Sequence, residues 1–224
     1  MKKILSILIC LSMIVTSMLV FSACGKQGEE NQGGEKTVGS WVLAGNPAIT
    51  DEFKTVFDKA VSELDGVNYE PVAYLASQVV AGTNHCVLCK ATPVTPEGKT
   101  VYAVLYIYED PEGKTTISDI ITSNTEIPGT EKESTGGWTE PATPGMTSEA
   151  KAALDKACET LTGAEYTPVA LLATQVVAGE NYRIVCESKP SVPADETEPY
   201  FVVVTVYEDL QGNAEITDTT ELHP

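Results

Sequence analysis

Positive charge is scarce in this 224-residue chain: Lys and Arg together number 14 against 32 Asp and Glu, for a formal net charge of −18. No segment gathers the Lys and Arg residues into a patch, which argues against nucleic acid as a partner. Histidine is scarcer still, with only His85 and His223. His85 precedes Cys86, but neighbours on a strand point to opposite faces, so the two do not form a nucleophile–base pair. His223 stands at the C-terminal end. Metal-ligand spacings and phosphate-cradling glycine loops are also missing. The carboxylates are numerous but scattered, as on a solvated acidic surface. The chain is therefore not expected to be an enzyme, nor to take a cofactor, a metal or a small-molecule substrate. Past Phe21 no apolar run approaches the length needed to span a membrane.

The N-terminus is different. Lys2 and Lys3 precede an apolar stretch from Ile4 to Phe21, followed by Ser22, Ala23 and Cys24. Basic start, apolar middle and small residues at the cut are the layout of a secretory leader. A Cys directly after small residues resembles the processing site of bacterial lipoproteins. That resemblance implies a signal peptide over 1–23, lipid on Cys24, and a protein held by that lipid at the extracytoplasmic face of the cell membrane. Phe21 stands where Leu is more usual, and the alternative is an ordinary leader cut near Ala23, with Cys24 a plain thiol. Losing Lys2 and Lys3 with the leader would bring the charge to −20. Residues 24–37, polar and Gly-rich, read as a flexible stalk.

An internal repeat fills the remainder. At a shift of 97, residues 39–92 match 136–189 at 24 of 54 positions, too many for shared composition. Trp41 meets Trp138, Pro71-Val72-Ala73 meets Pro168-Val169-Ala170, and Gln78–Gly82 meets Gln175–Gly179. Further on, two inserted residues pair Tyr108 with Tyr207. The expected organisation is a domain over 38–123, a linker over 124–135 and a second domain over 136–224.

Within each repeat one helix comes first. Phe53, Val56, Phe57, Ala60, Val61 and Leu64 form an apolar stripe, as do Ala150, Ala153, Leu154, Ala157, Cys158 and Leu161. Thr50 and Thr147 are candidate N-caps, and Gly66 and Gly163 candidate stops. Four strands follow, expected over 69–80, 83–90, 101–108 and 115–121, and over 166–177, 181–187, 200–207 and 214–218. Val101, Ala103, Leu105 and Ile107 alternate with Tyr102, Val104, Tyr106 and Tyr108; both sets are apolar, so cover is expected on both sheet faces. The expected class is α+β, each repeat being one helix packed on a four-stranded antiparallel sheet.

This order, with Gln-Val-Val-Ala-Gly at the first hairpin after the helix, resembles the cystatin superfamily, most closely its stefin branch. The resemblance covers both repeats and implies two tandem cystatin-like domains that reversibly inhibit papain-like cysteine proteases. It makes the edge of a wedge of Gln78, Val79, Val80, Ala81 and Gly82, and of Gln175, Val176, Val177, Ala178 and Gly179. Gly39, or Gly136 with Gly137, fills the place of the family's glycine ahead of the helix. Small tip residues let the backbone approach a cleft floor, the valines add stiff apolar contact, and the glutamines can tie the hairpin base. Trp41 and Trp138 are either anchors for the protease or packing on their own repeat. The family's second hairpin has an apolar tip, whereas Glu109–Glu112 and Glu208–Gln211 are largely acidic here. A non-inhibitory surface-binding or adhesion module, or a structural spacer, is the competing reading.

Cys86 and Cys89 have the spacing of a redox motif but sit inside an expected strand on opposite faces. Cys158 lies on the helix stripe and Cys186 on the strand face turned toward it. A Cys158–Cys186 disulfide and two buried thiols both remain open, and export would permit the bridge. Val61 replaces Cys158 in the first repeat, which leaves Cys89 without such a partner and Cys86 expected as a surface thiol.

Overall fold

The computed structural model describes residues 39–95, 98–126, 136–190 and 200–222. The leader, Cys24, the stalk and most of the expected linker lie outside the described residues.

Each repeat opens with a short helix, α1 (Asp51–Val61) and α2 (Ser148–Cys158). Both begin on threonine: the Thr50 hydroxyl accepts from the Phe53 N–H at 3.2 Å, and Thr147 from Ala150 at 3.1 Å. Such a cap satisfies an N–H that the helix itself leaves open. The helices end earlier than the apolar stripe predicts. The Ser62 N–H and hydroxyl both bond the Lys59 carbonyl, and Leu64 falls beyond the last turn. Gly66 and Gly163, at φ +89° and +100°, do not stop the helices but turn the chain into the following strand.

The strands are β1 (Trp41–Leu43), β2 (Val67–Val80), β3 (Gly82–Pro93), β4 (Val101–Glu109), β5 (Thr115–Glu126), β6 (Ala164–Val177), β7 (Gly179–Pro190), β8 (Phe201–Glu208) and β9 (Ala214–Glu221). They form two antiparallel sheets, one of five strands in the order β1-β2-β3-β4-β5 and one of four in the order β6-β7-β8-β9. The protein is thus mostly β, and the α+β expectation of two domains, each one helix on a four-stranded sheet, is corrected on two counts. Trp41–Leu43 adds a fifth strand to the first sheet only, pairing Trp41 with Gln78, Val42 with Ser77 and Leu43 with Ala76. And the sheets do not stand alone: both repeats belong to one compact unit with a shared core.

That core explains the double apolar alternation. On the outer face of the first sheet, Val87, Cys89, Ala103, Leu105 and Ile107 pack with Phe53, Val56 and Phe57 of α1. On the outer face of the second, Tyr182, Ile184, Cys186, Val202, Val204 and Val206 pack with Ala150, Ala153 and Leu154 of α2. The intervening residues, including Leu75, Leu88 and Val104 from one repeat and Leu172, Phe201 and Val203 from the other, form a single cluster between the sheets. The layers run helix, sheet, sheet, helix. Each sheet buries one face on its helix and the other on its twin, so neither face can be polar. Lys90 and Glu140 add an ion pair between the repeats at 2.7 Å. Partly exposed, it is expected to contribute less than about 1 kcal/mol; the apolar burial does the joining.

Bulges between Pro71 and Ala73 and between Tyr74 and Ala76 interrupt β2, and the same irregularities recur in β6 between Pro168 and Ala170 and between Leu171 and Ala173. A bulge bends its strand and raises its twist, which lets these long strands curve past the helix.

Candidate functional site

The β2–β3 and β6–β7 hairpins turn at Ala81 and Ala178, each with one residue between the paired ends. Gly82 and Gly179 have φ of +124° and +130°. A Cβ on Gly82 would run into the Glu109 carbonyl oxygen and the Tyr108 ring; one on Gly179 would meet the Glu208 carbonyl oxygen and the Tyr207 ring. Glycine is therefore required twice over, by conformation and by space.

The lead-in glycines lie against these hairpins. Gly39 N–H donates to the Val79 carbonyl at 2.9 Å. The Gln78 amide donates to the Gly39 carbonyl at 3.0 Å and accepts from Asn84 at 2.6 Å. In the second repeat Gln175 donates to the Gly136 carbonyl at 2.6 Å and accepts from Asn181 at 2.8 Å. Each glutamine thus bridges three segments: lead-in, hairpin base and return strand. Gly137, half-buried beside Gly136, adds no such bond of its own among the described contacts.

Two tyrosines complete the arrangement. Tyr108 donates its hydroxyl to the Ala81 carbonyl, and Tyr207 donates to Ala178 at 2.7 Å. They hold the tips from the neighbouring strand. The sequence had paired these tyrosines through the repeat, but their reach to the tip carbonyl is a three-dimensional fact with no local signal.

The β4–β5 and β8–β9 hairpins emerge at the same end, since Thr83 pairs with Glu109 and Glu180 with Glu208. Their acidity has a structural cause. Asp110 accepts from the backbone N–H groups of Glu112 at 3.0 Å and Lys114 at 2.8 Å. Asp209 accepts from Gln211 at 2.8 Å and Asn213 at 2.9 Å, and the Asn213 side-chain amide adds a third bond. These bonds hold the Asp209 carboxyl below its ordinary range, the Asn213 side chain being the largest cause. Aspartate is here a turn-closing residue. The apex of the second-repeat turn is apolar after all: Leu210 is 78% exposed.

Both tryptophans pack on the protein itself. Trp41 meets Tyr106 edge to face at a centroid distance of 5.6 Å, and the Arg183 guanidinium covers the Trp138 ring at 4.0 Å.

His85 is buried on the α1 side, its Nδ1 2.7 Å from the Tyr74 hydroxyl and its Nε2 3.4 Å from a Glu109 carboxylate oxygen, with Phe53 against the ring. Cys86 turns into the core between the sheets. The two do face apart, but Cys86 is fully buried rather than at the surface, because the second repeat covers that face. Cys89 faces α1. Cys158 and Cys186 are free thiols in the structure, one of the two readings the sequence leaves open; both belong to the α2 core, Cys186 buried and Cys158 half-buried. Burial pushes the Cys186 and Cys89 thiols well up, and Cys158 upward to a lesser degree. Under native conditions at mildly alkaline pH, iodoacetamide is expected to label Cys158 and to spare Cys86, Cys89 and Cys186 until the chain is unfolded. Mass spectrometry of the labelled peptides checks this, and native labelling of Cys186 as fast as Cys158 would contradict the packing.

Among the described residues no group of His, Cys, Asp and Glu is placed to hold a metal ion, and no helix is long and apolar enough to cross a membrane. Compared with known proteins, the chain matches no protein-family model and no curated sequence.

Proposed function

We propose that the protein is a reversible inhibitor of papain-like cysteine proteases that occludes the active-site cleft with its Gln-Val-Val-Ala-Gly hairpins, as the resemblance to cystatins implies. One observation carries the reading. In both repeats a glutamine ties the lead-in glycine to an otherwise projecting apolar hairpin, and a tyrosine hydroxyl holds the hairpin's tip carbonyl. A narrow edge that is apolar and held in one shape loses little entropy on entering a cleft. A hairpin serving only to connect two strands has no need of that bracing from two other segments.

The residue roles follow. Gly82 and Gly179 let the tip fold back on the neighbouring strand. Val80, Val176 and Val177 offer apolar surface to the cleft walls. Gln78 and Gln175 set the position of the lead-in segments at Gly39 and Gly136. Inhibition of this kind blocks access to the protease Cys-His pair and forms no covalent bond. Read with the leader and Cys24 as a lipoprotein signal, the inhibitor is tethered to the outer face of the membrane, where it would meet external proteases.

The test is papain inhibition by the full chain, expressed with its own leader and purified in mild detergent. Reversible inhibition at about 1 μM or below is expected. Joint Val80→Asp and Val177→Asp substitution, which touches exposed positions, should abolish it while leaving the thermal melt unchanged. If the unmodified chain leaves papain and related proteases untouched, the inhibitory reading is wrong and a surface-binding role takes its place.

A further inference from the structure

Among the described residues six large apolar side chains are exposed: Val80, Val94, Leu161, Val176, Val177 and Leu210. Four of them sit on the hairpin tips, and three of those four belong to the second repeat. We infer that the second repeat carries the dominant protease-binding edge, with Val176 and Leu210 as its principal contacts. The inference rests on the inhibitory reading proposed above.

The asymmetry has a structural cause. In the first repeat β1 runs alongside the end of β2, with Trp41 opposite Gln78 and Gly39 bonded to Val79, and this cover leaves Val79 half-buried and Val80 only 37% exposed. Among the described residues the second repeat has no matching strand: its lead-in makes one isolated bridge, Thr139 to Thr174, four residues short of the tip residue Ala178. Val176 is therefore 70% exposed and Val177 43%. The sequence difference is small but sufficient. Val42 and Leu43 suit a strand and an apolar edge; Thr139 and Glu140 stand in their places, and Glu140 is drawn away to Lys90 of the first repeat.

The second hairpin repeats the contrast. Pro111 occupies the first-repeat apex where Leu210 stands in the second. The Asp209 carboxylate is committed to closing the turn, and Leu210 stands exposed at the same end of the sheet as the Val176–Val177 tip, as a second apolar point. Tyr182 braces this end from below, its hydroxyl 3.2 Å from Glu180 and 3.4 Å from Glu208. The second repeat thus presents two apolar points at one end of its sheet. Burial of one exposed Val or Leu is enough to separate two otherwise similar sites by about tenfold or more in affinity.

The experiment compares five single variants of the full chain against papain, in detergent as above. The tighter of two sites sets the measured inhibition constant, so Val176→Asp and Leu210→Asp are each expected to raise it about tenfold or more. Val80→Asp and Pro111→Asp, which weaken only the looser site, should each raise it by a smaller factor than either second-repeat change. Leu210→Met keeps the apolar volume and should restore inhibition, which a purely structural effect of the aspartate would not predict if the melts of all variants coincide. Equal losses in both pairs, or a larger loss from the first-repeat pair, overturn the asymmetry while the inhibitory reading stands. No inhibition by the unmodified chain overturns both.

Discussion

Phe201→Ala is expected to cost about 3–5 kcal/mol and to weaken both repeats together. Phe201 is fully buried, and its cluster draws residues from both sheets. Truncating it removes transfer free energy and leaves a cavity that rigid sheets on either side cannot close. The repeat it belongs to is the second, yet the loss is shared. Single-tryptophan variants make this measurable. Trp41 reports on the first repeat and Trp138 on the second, so urea unfolding can be followed from either side. With Phe201→Ala both transitions should move to lower urea and still coincide. A shift confined to the Trp138 signal would mean that the repeats unfold independently and that the shared core is energetically idle.

The second large effect is expected at the hairpin glycines. Gly179→Ala places a methyl against the Glu208 carbonyl oxygen, at a φ of +130° that L-residues avoid. Backbone strain of this kind is worth about 1–3 kcal/mol, and displacing the tip also endangers the Tyr207 bond to Ala178, worth about 1 kcal/mol more. The expected loss is thus about 2–4 kcal/mol, with Gly82→Ala similar because its surroundings repeat those of Gly179. Gly66 and Gly163 provide the control. They also have positive φ, but a Cβ there meets nothing within 4 Å. Alanine at either should cost only the conformational term, about 1–2 kcal/mol. Urea midpoints of the four variants decide the matter: equal losses at all four glycines would show that crowding at the tips is not what demands glycine there.

Much of this organisation was legible in the sequence because it is encoded locally. The 97-residue shift exposed the duplication, and the apolar stripes with Thr50 and Thr147 marked both helices. The Ala-Gly pairs marked the hairpin turns. What escaped notice depends on distant partners. Trp41–Leu43 is three residues long, too short to show a period, and becomes a strand only because β2 offers an open edge. The stripe through Leu64 continued the helical spacing, yet the helix stops where Ser62 bonds back to Lys59. The alternation in β4 said that both faces would be covered without saying that a second sheet would cover one of them. Cys86 was misjudged for the same reason. At the candidate site, the identical pairs Val79-Val80 and Val176-Val177 give no hint of their unequal exposure, because the covering strand lies some forty residues away in the chain. Asp209 read as an acidic blemish on an apolar tip; only its bonds to Gln211 and Asn213 reveal the carboxylate as part of the turn.

The shared core also constrains how a chain of this kind can change in length. Tandem copies that fold separately are readily gained and lost, one unit at a time. Here each sheet spends its inner face on the other, with Leu88 and Val104 on one side and Phe201 and Val203 on the other. Deleting either copy would strip the survivor of its cover and leave an apolar sheet face open to aggregation. A third copy, conversely, would find no inner face vacant to receive it. Two is the closed number for this arrangement, so the pair is inherited as a single piece even while the tips at its edges diverge.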